Sequence, residues 1–247
     1  MLSFLWNLIL YKPLLNGLAF LVSVIPGGDI GIAVILLTII VKLILFPLTE
    51  RQIRNQAAMN ILTPELNKIK ASGASKEEQA KQTFELYKKH KTNPLSGCLV
   101  IIPTIFVLIA LYRVFIKGIN FDSSMLYSFI HAPEHVNMLF LGFVDLTKTS
   151  IVLAILAGVS QYFQAHFMPK PPVPTGVSMD SFQASLTKSM SMQMKYILPL
   201  LIVFIAYKYS GAVALYLITS NLFAIGQQIY VNKTERTVLI EEAKVIK

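Results

Sequence analysis

Lys42 is the residue whose placement most needs a chemical explanation, because it stands inside the apolar run Ile30 to Leu48 (IGIAVILLTIIVKLILFPL), which holds no aspartate or glutamate. A lysine charge held at mid-depth in hydrocarbon costs about 2.5–3.5 kcal/mol on insertion scales, so something must offset it. Two accounts are open. The stem could snorkel, since Lys42 is six residues from Leu48, roughly 9 Å along a helix. Alternatively, the helix lines a cleft that water enters. Thr38 and Thr49 fall on the Lys42 face at i−4 and i+7, and comparable polar stripes are formed by Gln161 and Gln164 in one later apolar run and by Tyr216, Ser220 and Gln227 in another. Such stripes either glue helices together, at less than about 2 kcal/mol per hydrogen bond, or face water. No acid lies in any of the apolar runs to neutralise Lys42. That favours water access and a hydrophilic groove open on the cytoplasmic side.

Other chemistry is weakly signalled. His131-Ala132-Pro133-Glu134-His135 spells the H-x-x-E-H zinc pattern, but that pattern needs a helix to bring both histidines to one face, and the central proline opposes one. No Gly-Lys dipeptide occurs, so there is no P-loop, and no G-x-S-x-G nucleophile signature is present. A single cysteine, Cys98, allows no intrachain disulfide and no thiolate metal cluster. The expectation is a non-enzyme with no metal and no cofactor.

The elements that must position Lys42 are transmembrane helices. The chain has 247 residues, 54% hydrophobic and only 14% charged, against about 25% charged in a soluble domain, and its mean hydropathy is +0.60. Five apolar runs read as spans: 30–48, 99–116, 151–167, 195–208 and 211–231. The fourth is short for a bilayer, so either its helix reaches back toward Met190 or the bilayer thins around it. Orientation follows from the basic residues. Residues 50–93 carry Arg51, Arg54, Lys68, Lys81 and Lys88 among others, which places them in the cytoplasm. Alternation then puts the loop 168–194 and the tail 232–247, both basic, on the same side, with the N-terminus outside. The excess of 22 Lys+Arg over 13 Asp+Glu is thereby explained without DNA.

Residues 1–29 read as an interfacial amphipathic segment. Pro13 is expected to interrupt the helix, leaving Leu14 to Ile25 too short to cross, with Trp6 and Tyr11 at headgroup level. Residues 50–93 read as a helical hairpin whose arms meet through Leu62, Leu66 and Ile69 on one side and Ala80, Phe84 and Tyr87 on the other. Gly73 ends the first arm, Ser75-Lys76-Glu77-Glu78 is a capping box for the second, and Thr63-Pro64 fits an N-cap and first helical position at which the first arm restarts or kinks. Asn93-Pro94 closes the hairpin, and Pro169 to Thr175 reads as a flexible Pro-rich stretch.

From Gly31 onward the chain resembles the YidC/Oxa/Alb insertase family. The resemblance rests on Thr38-Ile39-Ile40-Val41-Lys42 running into Phe46-Pro47-Leu48-Thr49, on Asn93-Pro94-Leu95-Ser96-Gly97-Cys98 with Ile102-Pro103 and Ala110-Leu111-Tyr112, on Asp145-Leu146, and on Leu215-Tyr216-Leu217-Ile218-Thr219-Ser220-Asn221 leading to Gln227-Gln228. It implies an all-α membrane protein with a five-helix core, a cytosol-facing hydrophilic groove, and a cytoplasmic hairpin used in partner contacts. It also implies residence in a bacterial-type cell membrane and nascent membrane proteins as clients. Ribosome, signal-recognition pathway and Sec translocon are the further partners it suggests. Bacterial members usually carry arginine at the Lys42 position; lysine keeps the charge but lacks the planar fork that grips carboxylates. The large extracytoplasmic domain of some members is not seen in this sequence.

Rival classes predict other features. A proton-coupled carrier would show acids within its spans or an internal repeat, and neither is found. RNA binding through the basic hairpin and tail would want interleaved stacking aromatics, which are lacking. A passive scaffold is compatible with the same sequence.

Overall fold

The computed structural model describes residues 6–90, 92, 106–107, 109–110, 113, 121, 125–168 and 192–245. Most of the expected span 99–116, the Asn93-Pro94 corner and most of the loop 168–194, Pro169 to Thr175 included, lie outside the described residues. What is described is mainly helical.

Helix α1 spans Lys12–Val24 and is entered through a π-helical turn, Asn7–Tyr11. Together they form one continuous helix, Asn7–Val24, of 18 residues, long and apolar enough to cross a membrane. The expected interruption at Pro13 does not occur. The amide of Lys12 bonds to the Asn7 carbonyl five residues back, and this widened turn accommodates a ring that would collide with the carbonyl four residues back in a regular helix. The same device appears where Gln193–Ile197 leads into α7, Leu198–Lys208, with a proline at Pro199. The fourth apolar run therefore gains length by reaching back to Gln193.

Helix α2 spans Ile30–Ile44 and α3 Phe46–Ile61, with a bend of 61° between them. The helix that begins at Ile30 thus gives way at Leu45: Phe46, Pro47 and Leu48 open the next helix, where a proline's missing amide costs nothing. Helix α4 spans Thr63–Ala71 and α5 Lys76–Lys89. Leu62, not Thr63, occupies the N-cap position, and Thr63 and Pro64 form the first turn of α4. Gly73, at φ +69°, ends that arm, and the Ser75 hydroxyl accepts the Glu78 amide at 3.3 Å to start α5. The two helices pack through Leu62, Leu66 and Leu86, with Ile69 and Tyr87 at the edge. Ala80 and Phe84 are exposed, Phe84 at 70%; the inward face of α5 is therefore the one carrying Leu86 and Tyr87.

Two short strands, β1 (Leu139–Phe140) and β2 (Val144–Asp145), pair antiparallel around a three-residue loop, Leu141 to Phe143, in which Leu141 and Gly142 both have positive φ and the Phe143 amide donates to the Phe140 carbonyl at 3.2 Å. Helix α6 spans Ile151–Phe167, capped by Ser150, and α8 spans Gly211–Val245. The last helix passes through position 231 without a break, so the expected tail continues it.

The core is one cluster in which α1, α2, α6 and α8 meet, built from Leu18, Val22, Ile30, Val34, Val213 and Tyr216 with the small residues Ala154, Ala157 and Ala214. Helices α6 and α7 approach closely at Gly158, where a Cβ would meet Val203 and lie 3.1 Å from the Pro199 carbonyl. Outward, α2 exposes Ile40, Leu43 and Ile44; α6 Val152, Ile155 and Val159; α7 Leu200 and Phe204. Such continuous apolar exposure is stable only against lipid or another apolar surface. By length and composition, Asn7–Val24 and Gly211–Thr234 can cross a membrane, with the bent pair α2–α3 a third.

Candidate functional site

One end of the bundle is organised by Asp29. Its Oδ1 accepts the amides of Gly31 at 2.8 Å and Ile32 at 3.1 Å, capping α2, while Oδ2 accepts the amide of Leu141 at 2.8 Å. The carboxylate is 6% exposed. Around it, the Ile30 amide donates to the Asn137 carbonyl at 3.1 Å and the Asn137 amide to the Gly28 carbonyl at 2.9 Å. Gly31 has no room for a side chain because the Phe140 ring covers it. Further along the same segment, the carbonyl of Lys148 accepts the Gly211 amide at 2.8 Å and that of Leu146 the Ala212 amide at 3.4 Å, so the start of α8 is seated on it too. Asn16 of α1 grips this region as well: its side chain donates to the Met125 carbonyl at 3.1 Å and accepts the Tyr127 amide at 2.7 Å. The starts of α2, α6 and α8 and the end of α7 therefore share one end of the bundle.

Between α2 and α8 lies a small open crevice of about 10 Å³, room for roughly one water molecule, lined by Thr38, Val41, Lys42, Leu45, Val107 and Tyr216. Three of the expected site residues, Thr38, Lys42 and Tyr216, are thus brought together. Thr38 is buried and its hydroxyl donates to the Val34 carbonyl at 2.6 Å. Tyr216 is buried too, with its hydroxyl hydrogen-bonded to Ser220 one turn on. Lys42 is half-buried, and among the described residues no carboxylate or other hydrogen-bonding group reaches its ammonium. The crevice wall is otherwise aliphatic, so a positive charge stands at the edge of an apolar recess.

The two glutamines of α6 are placed elsewhere. Gln161 is buried and Gln164 half-buried, and neither lines the crevice. What α6 offers α8 is Ser160: its hydroxyl donates to the Ala157 carbonyl at 2.8 Å and accepts Asn221 Nδ2 at 3.0 Å. Asn221, 5% exposed, was visible in the sequence only as one more polar position beside Ser220. Midway along α8, Gln227 Nε2 donates to Thr49 Oγ1 at 2.6 Å and to the Phe46 carbonyl at 3.1 Å. Thr49 accordingly belongs beyond the bend and not to the Lys42 face of a straight helix.

Of the basic residues expected to make partner contacts, Arg51, Lys68, Lys81 and Lys88 are exposed. Arg54 pairs with Glu50 at 2.8 Å one turn away, a partly exposed pair of small net worth. His131, Glu134 and His135 are exposed on an irregular segment, and among the described residues no three histidine, cysteine or acidic side chains gather to hold a metal.

Comparison with known proteins shows the family. The family model described as 60Kd inner membrane protein matches residues 21–238. A protein of Fusobacterium nucleatum named membrane protein insertase YidC is 33% identical over 91% of this chain and 97% of its own length. A Clostridium tetani protein of that name is also 33% identical, over 88% and 89% respectively, and one from Oceanobacillus iheyensis is 30% identical over 92% and 84%.

Proposed function

Because the chain belongs to the 60Kd inner membrane protein family and is a bacterial membrane protein insertase of the YidC/Oxa/Alb type, we propose that client segments enter the bilayer through the crevice at Lys42. The observation that carries this is the half-buried ammonium, without a carboxylate among the described residues, beside Thr38 and Tyr216. A client's acidic tail or short polar loop would be drawn from the cytosol to that charge by up to about 4 kcal/mol at 4 Å and an effective dielectric near 20, and by less in a wet groove. Its hydrophobic segment then leaves sideways into lipid. Burial of client apolar surface yields about 25 cal/mol per Å², so nucleotide hydrolysis is not needed.

The topology that goes with this reading has five spans, the N-terminus outside and the C-terminus in the cytoplasm. Its support is that Asp29, Ser150, Tyr209 and the start of α8 lie at one end, whereas the basic helices α3 to α5 leave from the other. On this topology α3 to α5 face nascent chains and their delivery machinery: ribosome, signal-recognition components and Sec translocon. Helix α1 then packs along the outer part of α2, with Gly17 against Leu37.

Reconstituted insertion of a client with an acidic N-tail tests the role of the charge. Lys42→Arg is expected to insert at least as well as the parent. Lys42→Ala should lose about tenfold, the equivalent of ~1.4 kcal/mol of the attraction. Alanine matching the parent would remove the charge from the mechanism.

A further inference from the structure

We infer that Gln227 is a positioning residue that sets the direction in which α3, and the α4–α5 pair behind it, leave the bundle. A bend of 61° at Leu45 is a place where a chain could adopt many angles, and it needs something outside the two helices to select one. Gln227 is 6% exposed, and its Nε2 donates to two neighbouring acceptors on the first turn of α3, the Phe46 carbonyl and the Thr49 hydroxyl. Thr49 Oγ1 lies 3.1 Å from the Leu45 carbonyl and 3.0 Å from that of Phe46, so its own proton is directed back onto the bend while its lone pair receives Gln227. One turn along α8, Tyr230 meets Phe46 edge to face at 6.0 Å. The bend is therefore held by a two-pronged polar contact and one aromatic contact, all supplied by α8. Angular freedom at the bend would be amplified along the length of α3, about 24 Å for 16 residues. The bond has a chemical signature, because it needs a donor with two protons at position 227 and an acceptor hydroxyl at position 49.

The consequence for insertion rests on the insertase reading; the consequence for geometry does not. The test uses the full chain in proteoliposomes with Cys98→Ser and spin labels at Glu85→Cys on α5 and Leu200→Cys on α7. A control pair at Val152→Cys and Leu222→Cys reports the α6–α8 spacing. Gln227→Leu is expected to broaden the Glu85–Leu200 distance distribution at least twofold and leave the control pair narrow. Thr49→Val should do the same and add nothing in the double variant, whereas Thr49→Ser, which keeps the hydroxyl, should stay narrow. Client insertion by Gln227→Leu should fall about fivefold, the effect of one net hydrogen bond. A Glu85–Leu200 distribution unchanged in Gln227→Leu, or one broadened equally in the control pair, would overturn the positioning role. Broadening with undiminished insertion would overturn its relevance to the reaction. If the parent itself inserts no client, the insertase mechanism fails, while the distances still decide whether Gln227 holds the bend.

Discussion

Replacing Asp29 should unfasten the end of the bundle at which α2 begins, and the two oxygens of its carboxylate make the effect divisible. Oδ1 holds the Gly31 and Ile32 amides and Oδ2 the Leu141 amide. Asp29→Ala removes the N-cap, at about 1 kcal/mol, and takes the acceptor from the Leu141 amide, a part-buried bond worth about 0.5–1.5 kcal/mol net. The sum is about 1.5–2.5 kcal/mol. Asp29→Asn keeps one oxygen, which can serve the two cap amides, but turns an NH₂ group toward the Leu141 amide, donor against donor. About half the loss is expected. Hydrogen exchange in detergent or nanodiscs separates the parts: Leu141 should exchange several-fold faster in both variants, and Gly31 and Ile32 only in alanine. Unchanged exchange at Leu141 in Asp29→Asn would show that the β1–β2 turn is held by something other than this carboxylate, and the reasoning would fail.

Three further outcomes follow from packing and charge. Leu86→Ala should destabilise the α4–α5 pair by about 2 kcal/mol, at the low end for a buried leucine in so small a cluster, while Phe84→Ala should stay within about 0.5 kcal/mol; exchange rates along α5 distinguish them. Gly158→Ala should cost about 1–3 kcal/mol by pushing α6 off Val203 and the Pro199 carbonyl, seen as a lower thermal midpoint in detergent. Burial raises the Tyr87 phenol above its ordinary value of 10.0, so the folded pair prefers the protonated form. Its contribution is complete below the unfolded pKa of about 10 and is lost as pH rises through the higher folded value. Absorbance titration should place Tyr87 ionisation later than that of an exposed tyrosine, and Tyr87→Phe should flatten the alkaline loss of α5 protection.

Hydropathy located the apolar runs that form α2, α6, α7 and the first part of α8 because lipid imposes one strong rule on every turn of a spanning segment. Lys42 with Thr38 and Tyr216 was legible for that reason: polar residues in such segments are few, and their spacing gives their face. What hydropathy could not supply was backbone detail. Pro13 was read as a break because a proline excludes a regular turn, whereas the chain keeps its helix by widening the turn before it. The bend at Leu45 lies inside an apolar run interrupted by charge only at Lys42, so no change of composition marks it. On α5, an i, i+4, i+7 pattern chose Phe84 over Leu86; both faces carry apolar residues, and only contact with Leu62 and Leu66 decides between them. Asp29, Asn221 and Gln227 escaped as connectors because each bonds to a segment far away in sequence, and a single residue carries no record of its distant acceptor.

The seat that Leu146 and Lys148 provide for the first amides of α8 also fixes an order of assembly. Those two carbonyls are made more than sixty residues before Gly211, so in the order of synthesis the side of the bundle that α8 closes is the last to be completed. The wall that completes the crevice, Tyr216 included, is thus delivered after the rest of its lining, and a molecule halted before Ser210 would display Lys42 and Thr38 along an unroofed helix.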